Sequence, residues 1–169
     1  WGRVDVLVNN AGITRDGAFK RMAPDQWFEV IHTNLCSLYN VTQPLFDAMC
    51  EQRDARIINI SSVNGQKGQF GQVNYSAAKA GMLGFTKALA AEGARFGVTV
   101  NAIAPGYTAT PMVAAIRTDI LDSIKADIPM RRLAKPEEIA AAVATIIVTR
   151  PMSSIRRGFA LALPATAWP

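Results

Sequence analysis

Three short, mostly apolar runs, residues 4–8 (Val-Asp-Val-Leu-Val), 55–60 (Ala-Arg-Ile-Ile-Asn-Ile) and 98–104 (Val-Thr-Val-Asn-Ala-Ile-Ala), each stop at a polar or glycine-bearing turn. Runs of this length bounded by turns predict buried strands. The turns are Asn9-Asn10-Ala11-Gly12, Ser61-Ser62 and Pro105-Gly106. Between the runs lie segments of helix length. Pro24 suits the first position of a helix predicted from Asp25 to about Gln43, and a second helix is predicted over residues 75–96, with Gly84 and Gly93 as weak points. One or two short helices, read as a lid, are expected between residues 111 and 126. Pro136-Glu137-Glu138 opens a last helix, its acids set in the first turn where the helix dipole favours them. Strands alternating with helices predict an α/β fold on a parallel sheet. In such a sheet all strand carboxyl ends share the edge where ligands bind, so the three turns are expected to converge.

That convergence changes how the stretch from Ser61 to Lys79 is read. It places Ser62 thirteen residues before Tyr75 and Lys79 four after it. Residues at i and i+4 share a helix face, with Cβ atoms about 5–6 Å apart. An unperturbed phenol titrates near pH ~10, and a cation within about 4–6 Å lowers such a pKa by roughly 1–3 units. Tyr75 would then enter the range of general acid–base work. The expected chemistry is proton transfer to or from a carbonyl or alcohol oxygen, with Ser62 hydrogen-bonding the same oxygen. Tyr-x-x-x-Lys alone also fits an ordinary amphipathic helix; the converging turns favour a site. Gly12 and Gly106 would let backbone approach a ligand where a Cβ would obstruct it. Asn34 lies mid-helix, where an asparagine side chain competes for backbone hydrogen bonds.

In order and spacing, Asn9-Asn10-Ala11-Gly12, Asn34, Ser62, Tyr75-x-x-x-Lys79 and Pro105-Gly106-x-x-x-Thr110 resemble the motifs of the short-chain dehydrogenase/reductase family, over roughly residues 4–146. The resemblance implies a Rossmann-like doubly wound parallel sheet and an oxidoreductase acting on a keto or hydroxy group. It makes Tyr75 the catalytic acid and has Ser62 polarise the substrate carbonyl. Lys79 would lower the tyrosine pKa and hold the nicotinamide ribose, and Asn34 would support a proton-relay water. Asn10, Ala11, Gly12, Pro105 and Gly106 would line the cofactor together with Tyr75 and Lys79, and Thr110 would lie near its nicotinamide end. NADPH is the implied cofactor, and a homotetramer joined through the two long helices is the implied assembly. The cofactor carries the hydride, so the protein needs no nucleophile.

Residues 64–72 and 10–16 are similar to the members of that family that reduce acetoacetyl-CoA for polyhydroxybutyrate synthesis. By that likeness Asp16, Gln69, Phe70, Gln72 and Tyr107 match substrate contacts. A lysine is usual at the position of Arg21, and a guanidinium does not make the same phosphate contacts as an ammonium. The close alternative is reduction of a 3-oxoacyl-acyl-carrier-protein, which shares the catalytic residues. An alternative of another class is a non-catalytic dinucleotide-fold module.

Composition adds bounds. The 169 residues, half of them hydrophobic, suit one domain. Cys36 and Cys50 form no metal-ligand spacing and point to a reducing, cytoplasmic setting, and His32 has no partner cluster, so no metal is expected. No apolar run approaches the ~20 residues of a membrane span. Setting aside the acid-free tail with Arg150, Arg156 and Arg157 reduces the net charge from +5 to +2, so nucleic acid is not an expected partner. Arg15, Lys20, Arg21 and Lys67 either meet coenzyme A phosphates or form a solvated face.

One motif is missing. No Gly-x-x-x-Gly-x-Gly turn, which in this family binds pyrophosphate at a helix N-terminus, occurs in the sequence. The expectation is therefore a carboxyl-terminal part of the fold without its first strands: a partial domain over residues 1–149 that binds dinucleotide poorly and is inactive by itself. An atypical tail over residues 150–169, frame-shifted or disordered, is expected to follow. Residues 4–8 would then form an open edge prone to pairing with other chains.

Overall fold

The computed structural model describes residues 3–149 together with 160 and 161. Four strands, β1 (Val6–Asn9), β2 (Ala55–Ile60), β3 (Val98–Ile103) and β4 (Ala160–Leu161), form one parallel sheet in that order. Leu7 lies opposite Ile57, and Ile57 opposite Val100. The expected α/β parallel architecture is present, and the three predicted strands differ from the observed ones by two residues or fewer at either end. Of the expected tail only Ala160–Leu161 is described, paired with Ala102 and Ile103; the frame-shift and disorder expectations fall outside the described residues.

The helices are α1 (Pro24–Ile31), α2 (Ser37–Gln52), α3 (Asn64–Lys67), α4 (Val73–Gly93), α5 (Pro111–Ala114), α6 (Thr118–Asp127) and α7 (Pro136–Val148). Between α1 and α2 the chain stays helical but widens into a π turn, His32–Cys36. The first predicted helix thus ends nine residues too early, because the chain continues through Pro44. Pro44 faces solvent, where the amide it lacks and the carbonyl it frees are not desolvated. The α7 start is as expected: the Glu138 carboxylate accepts the backbone N–H of Lys135 at 2.7 Å.

Side chains alternate across the strands. Leu7, Ile57, Val98 and Val100 pack with Met49 of α2 and Ala90 of α4 in one apolar cluster. Ile58 and Ile103, on the other face, are fully buried, and α7 packs on β2 and β3. Helices therefore cover both faces. Near the carboxyl edge the first face turns polar. Asn9 Nδ2 donates to Asn59 Oδ1 at 2.9 Å, and Asn59 Nδ2 donates to Thr86 of α4 at 2.8 Å, tying β1, β2 and α4 together beneath the site. The ladder runs on past the strands: Ser61 N–H donates to the Ile103 carbonyl at 2.7 Å and Val63 N–H to the Pro105 carbonyl at 3.0 Å. Two of the predicted turns are thereby locked side by side.

Candidate active site

The loop after β2 is fastened to α4 before it reaches any reactive group. Ser61 Oγ donates to the Lys79 carbonyl at 2.9 Å. Gly65 lies so close to α4 that an added Cβ would sit 2.7 Å from the Lys79 carbonyl carbon. This contact seals the seam between α3 and α4, and Ser62 and Lys79 are buried beside it. Ser62 Oγ accepts the Asn64 N–H at 3.1 Å, which leaves the hydroxyl proton available. Ser62 and Tyr75 line the same cavity, where the serine hydroxyl pulls the phenol pKa down.

The electrostatics correct one expectation. The Tyr75 phenol is pushed above its ordinary value, first by burial, against which the Ser62 hydrogen bond pulls down and the Asp16 charge pushes up again. Lys79 does not depress it. The ammonium stands 5.6 Å from the ring centre and donates to the Ile60 carbonyl at 2.6 Å. Burial lowers the lysine's own pKa to about 8. The i,i+4 spacing did bring the two side chains together, but burial is the first cause of the shift at each.

Asn34 lies in the π turn and is fully buried. Its Oδ1 accepts the Ile13 N–H, and its Nδ2 donates to the Ile13 carbonyl, both at 2.8 Å. The side chain thus acts as a backbone strand for the turn after β1. Gly12 fits beside it: an added Cβ would lie 3.0 Å from Asn34 Oδ1 and 3.6 Å from Lys79 Nζ. The missing Cβ therefore makes room for the protein's own catalytic candidates, whereas the sequence reading kept that space for a ligand.

A cavity of about 130 Å³ opens over Ser62 and Tyr75, walled by Asp16, Gln72, Gly106 and Tyr107 and bounded by Met112, Val113 and Ile116 of the α5 region. Asp16, Gln72 and Tyr107 are thus brought to the site. Gln69 and Phe70 do not line it, and Phe70 is 90% exposed between Gly68 and Gly71, both at positive φ. Arg21 is exposed in a short 3-10 turn. Asn10 and Ala11 are exposed on the turn after β1, Pro105 is half-buried, and Thr110 precedes α5 as its N-cap. An added Cβ at Gly106 would meet nothing within 4 Å. That open strand-end edge, with an ammonium, a phenol and two exposed turns converging on it, fits the flat polar end of a nicotinamide nucleoside. Among the described residues no group of three or more His, Cys, Asp or Glu could hold a metal.

A larger hollow, about 650 Å³, lies between α2 and α4 and is lined by Phe46, Cys50, Glu92 and Arg95. It contains none of the candidate residues, and its position toward the amino ends of β2 and β3 separates it from the chemistry.

Sequence reasoning missed Asn74. It is fully buried, and its Nδ2 donates to the carbonyls of Arg15 at 3.0 Å and Gln26 at 2.9 Å while its Oδ1 accepts the Tyr75 N–H at 2.8 Å. One amide therefore holds the loop after β1, α1 and the start of α4 around the tyrosine. An asparagine in the first turn of a helix is a weak signal of such bracing.

Over residues 1–121 the chain matches the family model described as short chain dehydrogenase. It is 66% identical over 146 residues to the acetoacetyl-CoA reductase of Acinetobacter sp. (strain RA3849), covering 86% of this chain and 59% of that protein. To the acetoacetyl-CoA reductase of Cupriavidus necator it is 63% identical over 140 residues, covering 83% and 57%. To a 3-oxoacyl-acyl-carrier-protein reductase of Salmonella typhimurium it is 49% identical over 144 residues, covering 85% and 59%. The chain spans under two thirds of the length of these relatives. The expectation that it is the carboxyl-terminal part alone is not upheld and is withdrawn: the family model matches from the first residue, and the relatives fix only the share of length in common. With its parallel sheet, its strand-end turns and its paired Ser62 and Tyr75, the chain belongs to the short-chain dehydrogenase family.

Proposed function

We propose that the protein to which this chain belongs reduces the keto group of acetoacetyl-CoA to the 3-hydroxy thioester, with NADPH as reductant, in polyhydroxybutyrate synthesis. The observation that carries this reading is the meeting of Ser62 and Tyr75 in one cavity that Asp16, Gln72 and Tyr107 also line. The higher identity to two acetoacetyl-CoA reductases than to the acyl-carrier-protein enzyme supports the choice of thioester.

The chemistry of this chain follows from proton positions. Burial keeps the Tyr75 phenol protonated at neutral pH, as an acid requires. Ser62, its oxygen already bound to the Asn64 N–H, has its hydroxyl proton to offer a keto oxygen entering the cavity. When bound, the nicotinamide supplies the hydride. As charge builds on the keto oxygen, the phenolic O–H breaks and a new O–H forms on the product alcohol. The phenolate left on Tyr75 is stabilised by the Ser62 hydroxyl and by Lys79, which is largely an ammonium at pH 7 with a pKa of about 8. Lys79 and the turn after β1 would hold the nicotinamide ribose, with Asn34 fixing that turn. We assign the protein to the cytoplasm. No described helix is long and apolar enough to cross a membrane. We read α2 and α4 as the contacts of a homotetramer, which the exposure of Tyr39 and Val41 supports.

The test is NADPH oxidation by the full-length protein with acetoacetyl-CoA and, in parallel, with the acyl-carrier-protein thioester. A faster rate with the coenzyme A thioester, lost in Tyr75→Phe, is expected. A preference for acyl carrier protein would assign the alternative substrate, and activity surviving Tyr75→Phe would overturn the acid.

A further inference from the structure

Asp16, Gln72 and Asn64 form a chain of side-chain hydrogen bonds along one wall of the cavity. Gln72 Nε2 donates to Asp16 Oδ2 at 2.9 Å, and Asn64 Nδ2 donates to Gln72 Oε1 at 2.9 Å. The Asn64 backbone N–H donates to Ser62 Oγ. The direction of this chain is dictated from one end. An ionised carboxylate only accepts, so Gln72 must turn its amide nitrogen to Asp16, its oxygen must face Asn64, and Asn64 must answer with nitrogen. Asn64 Oδ1 is left buried without a partner in the described protein. Such an orphaned acceptor is uncommon in a folded chain. Asn64 is therefore held in an orientation that satisfies its neighbours and leaves its own acceptor unpaired.

We propose that Asn64 is a positioning residue that, through Gln72, fixes the Asp16 carboxylate at the cavity mouth, where it faces the Tyr75 and Tyr107 phenols. The three side chains act as one electrostatic unit opposite the acid. This role deepens the proposed reductase and rests on that reading for its catalytic meaning; the placement of the carboxylate stands independently. The ionisable groups that meet Tyr75 are Asp16 from the loop after β1, Tyr107 from the loop after β3 and Lys79 from its own helix, and no ionisable residue of α3 lines the cavity. Asp16 raises both Tyr75 and Tyr107. A carboxylate released from Gln72 would turn toward water and act less on either phenol.

The test follows the phenols by the pH titration of carbon-labelled tyrosine ring resonances, with Tyr39, which does not line the cavity, as internal reference. In Asn64→Ala, Tyr75 and Tyr107 are expected to titrate at lower pH than in wild type, because the carboxylate that raises them is released. Asp16→Asn is expected to move them in the same direction, and adding Asn64→Ala to it to move them no further. Should Asn64→Ala unfold the chain, Gln72→Met cuts the same relay at its next link. Phenols that shift in Asp16→Asn but stay in place in Asn64→Ala and Gln72→Met would overturn the positioning role. Phenols that ignore Asp16→Asn would overturn the electrostatic unit. The titration needs no turnover, so a protein that failed to reduce acetoacetyl-CoA would refute the reductase reading without touching this result.

Discussion

Lys79 gives the sharpest quantitative consequence of the structure. The residue is 3% exposed, and burial alone lowers its pKa from 10.5 to about 8. At about 1.4 kcal/mol per pKa unit, carrying the ammonium in the folded state at pH 7 costs about 3 kcal/mol. The sign follows from proton binding. Between pH 8 and 10.5 the unfolded lysine holds more proton than the folded one, so stability rises with pH across that window. Below pH 8 the full penalty is present. Lys79→Met keeps the apolar stem and removes the charge, at the expense of the hydrogen bond to the Ile60 carbonyl, worth about 1–3 kcal/mol for a charged donor. The variant is therefore expected to be up to about 2 kcal/mol more stable than wild type at pH 7 and equal or less stable near pH 10. Urea unfolding of both proteins from pH 6 to 10, followed by circular dichroism, reads the difference directly. Titration of the raised phenols cancels between the two proteins to first order. A stability difference that does not change with pH would refute the burial of a charged ammonium.

Two further substitutions probe the scaffold of the site. Asn34→Leu removes both bonds to Ile13 and strands a buried donor and acceptor at about 1–3 kcal/mol each; faster hydrogen exchange at Ile13 with a lowered unfolding midpoint is expected. Asn74→Leu frees the carbonyls of Arg15 and Gln26 together, and a loss of about 2–4 kcal/mol accompanied by loosening of residues 13–16 in hydrogen exchange is the outcome to look for.

The sheet and its functional edge were legible because short apolar runs stopping at turns admit few other readings, and Ser62, Tyr75 and Lys79 meet as their spacing requires. What spacing could not carry was burial. Two residues a turn apart in a helix are neighbours in any environment, but the sign of the Tyr75 perturbation depends on the water that Gly65 and Ser61 exclude. The π turn was equally invisible, since no residue type demands it, and without it Asn34 read as a simple helix position. Phe70 was matched to a substrate contact by likeness alone, and in the structure it lies exposed between two glycines at positive φ, outside the cavity lining. Asn74, Asn64 and Asn59 were overlooked for a shared reason: asparagine is common in turns, and only three-dimensional packing shows which amides are buried and bonded across elements.

A site whose proton affinities come from packing should respond to hydration in a way that an ion-paired site does not. If Tyr75 and Lys79 were tuned chiefly by each other, weakening their contact would raise the phenol and lower the ammonium. Here burial is the first cause for both: it raises Tyr75 and lowers Lys79. Admitting water must therefore do the reverse, bringing the phenol down and the ammonium up toward their ordinary values. Gly65→Ala is the least intrusive way to open the seam, because the new Cβ would stand 2.7 Å from the Lys79 carbonyl carbon and must push α3 away from α4. Overpacking of this kind costs typically about 1–3 kcal/mol, so the fold is expected to survive with a lower urea midpoint. In that variant the Tyr75 ring resonance should titrate at lower pH and the Lys79 side-chain resonance at higher pH than in wild type. Movement in the opposite sense for both would show that mutual charge, and not exclusion of water, sets the acid.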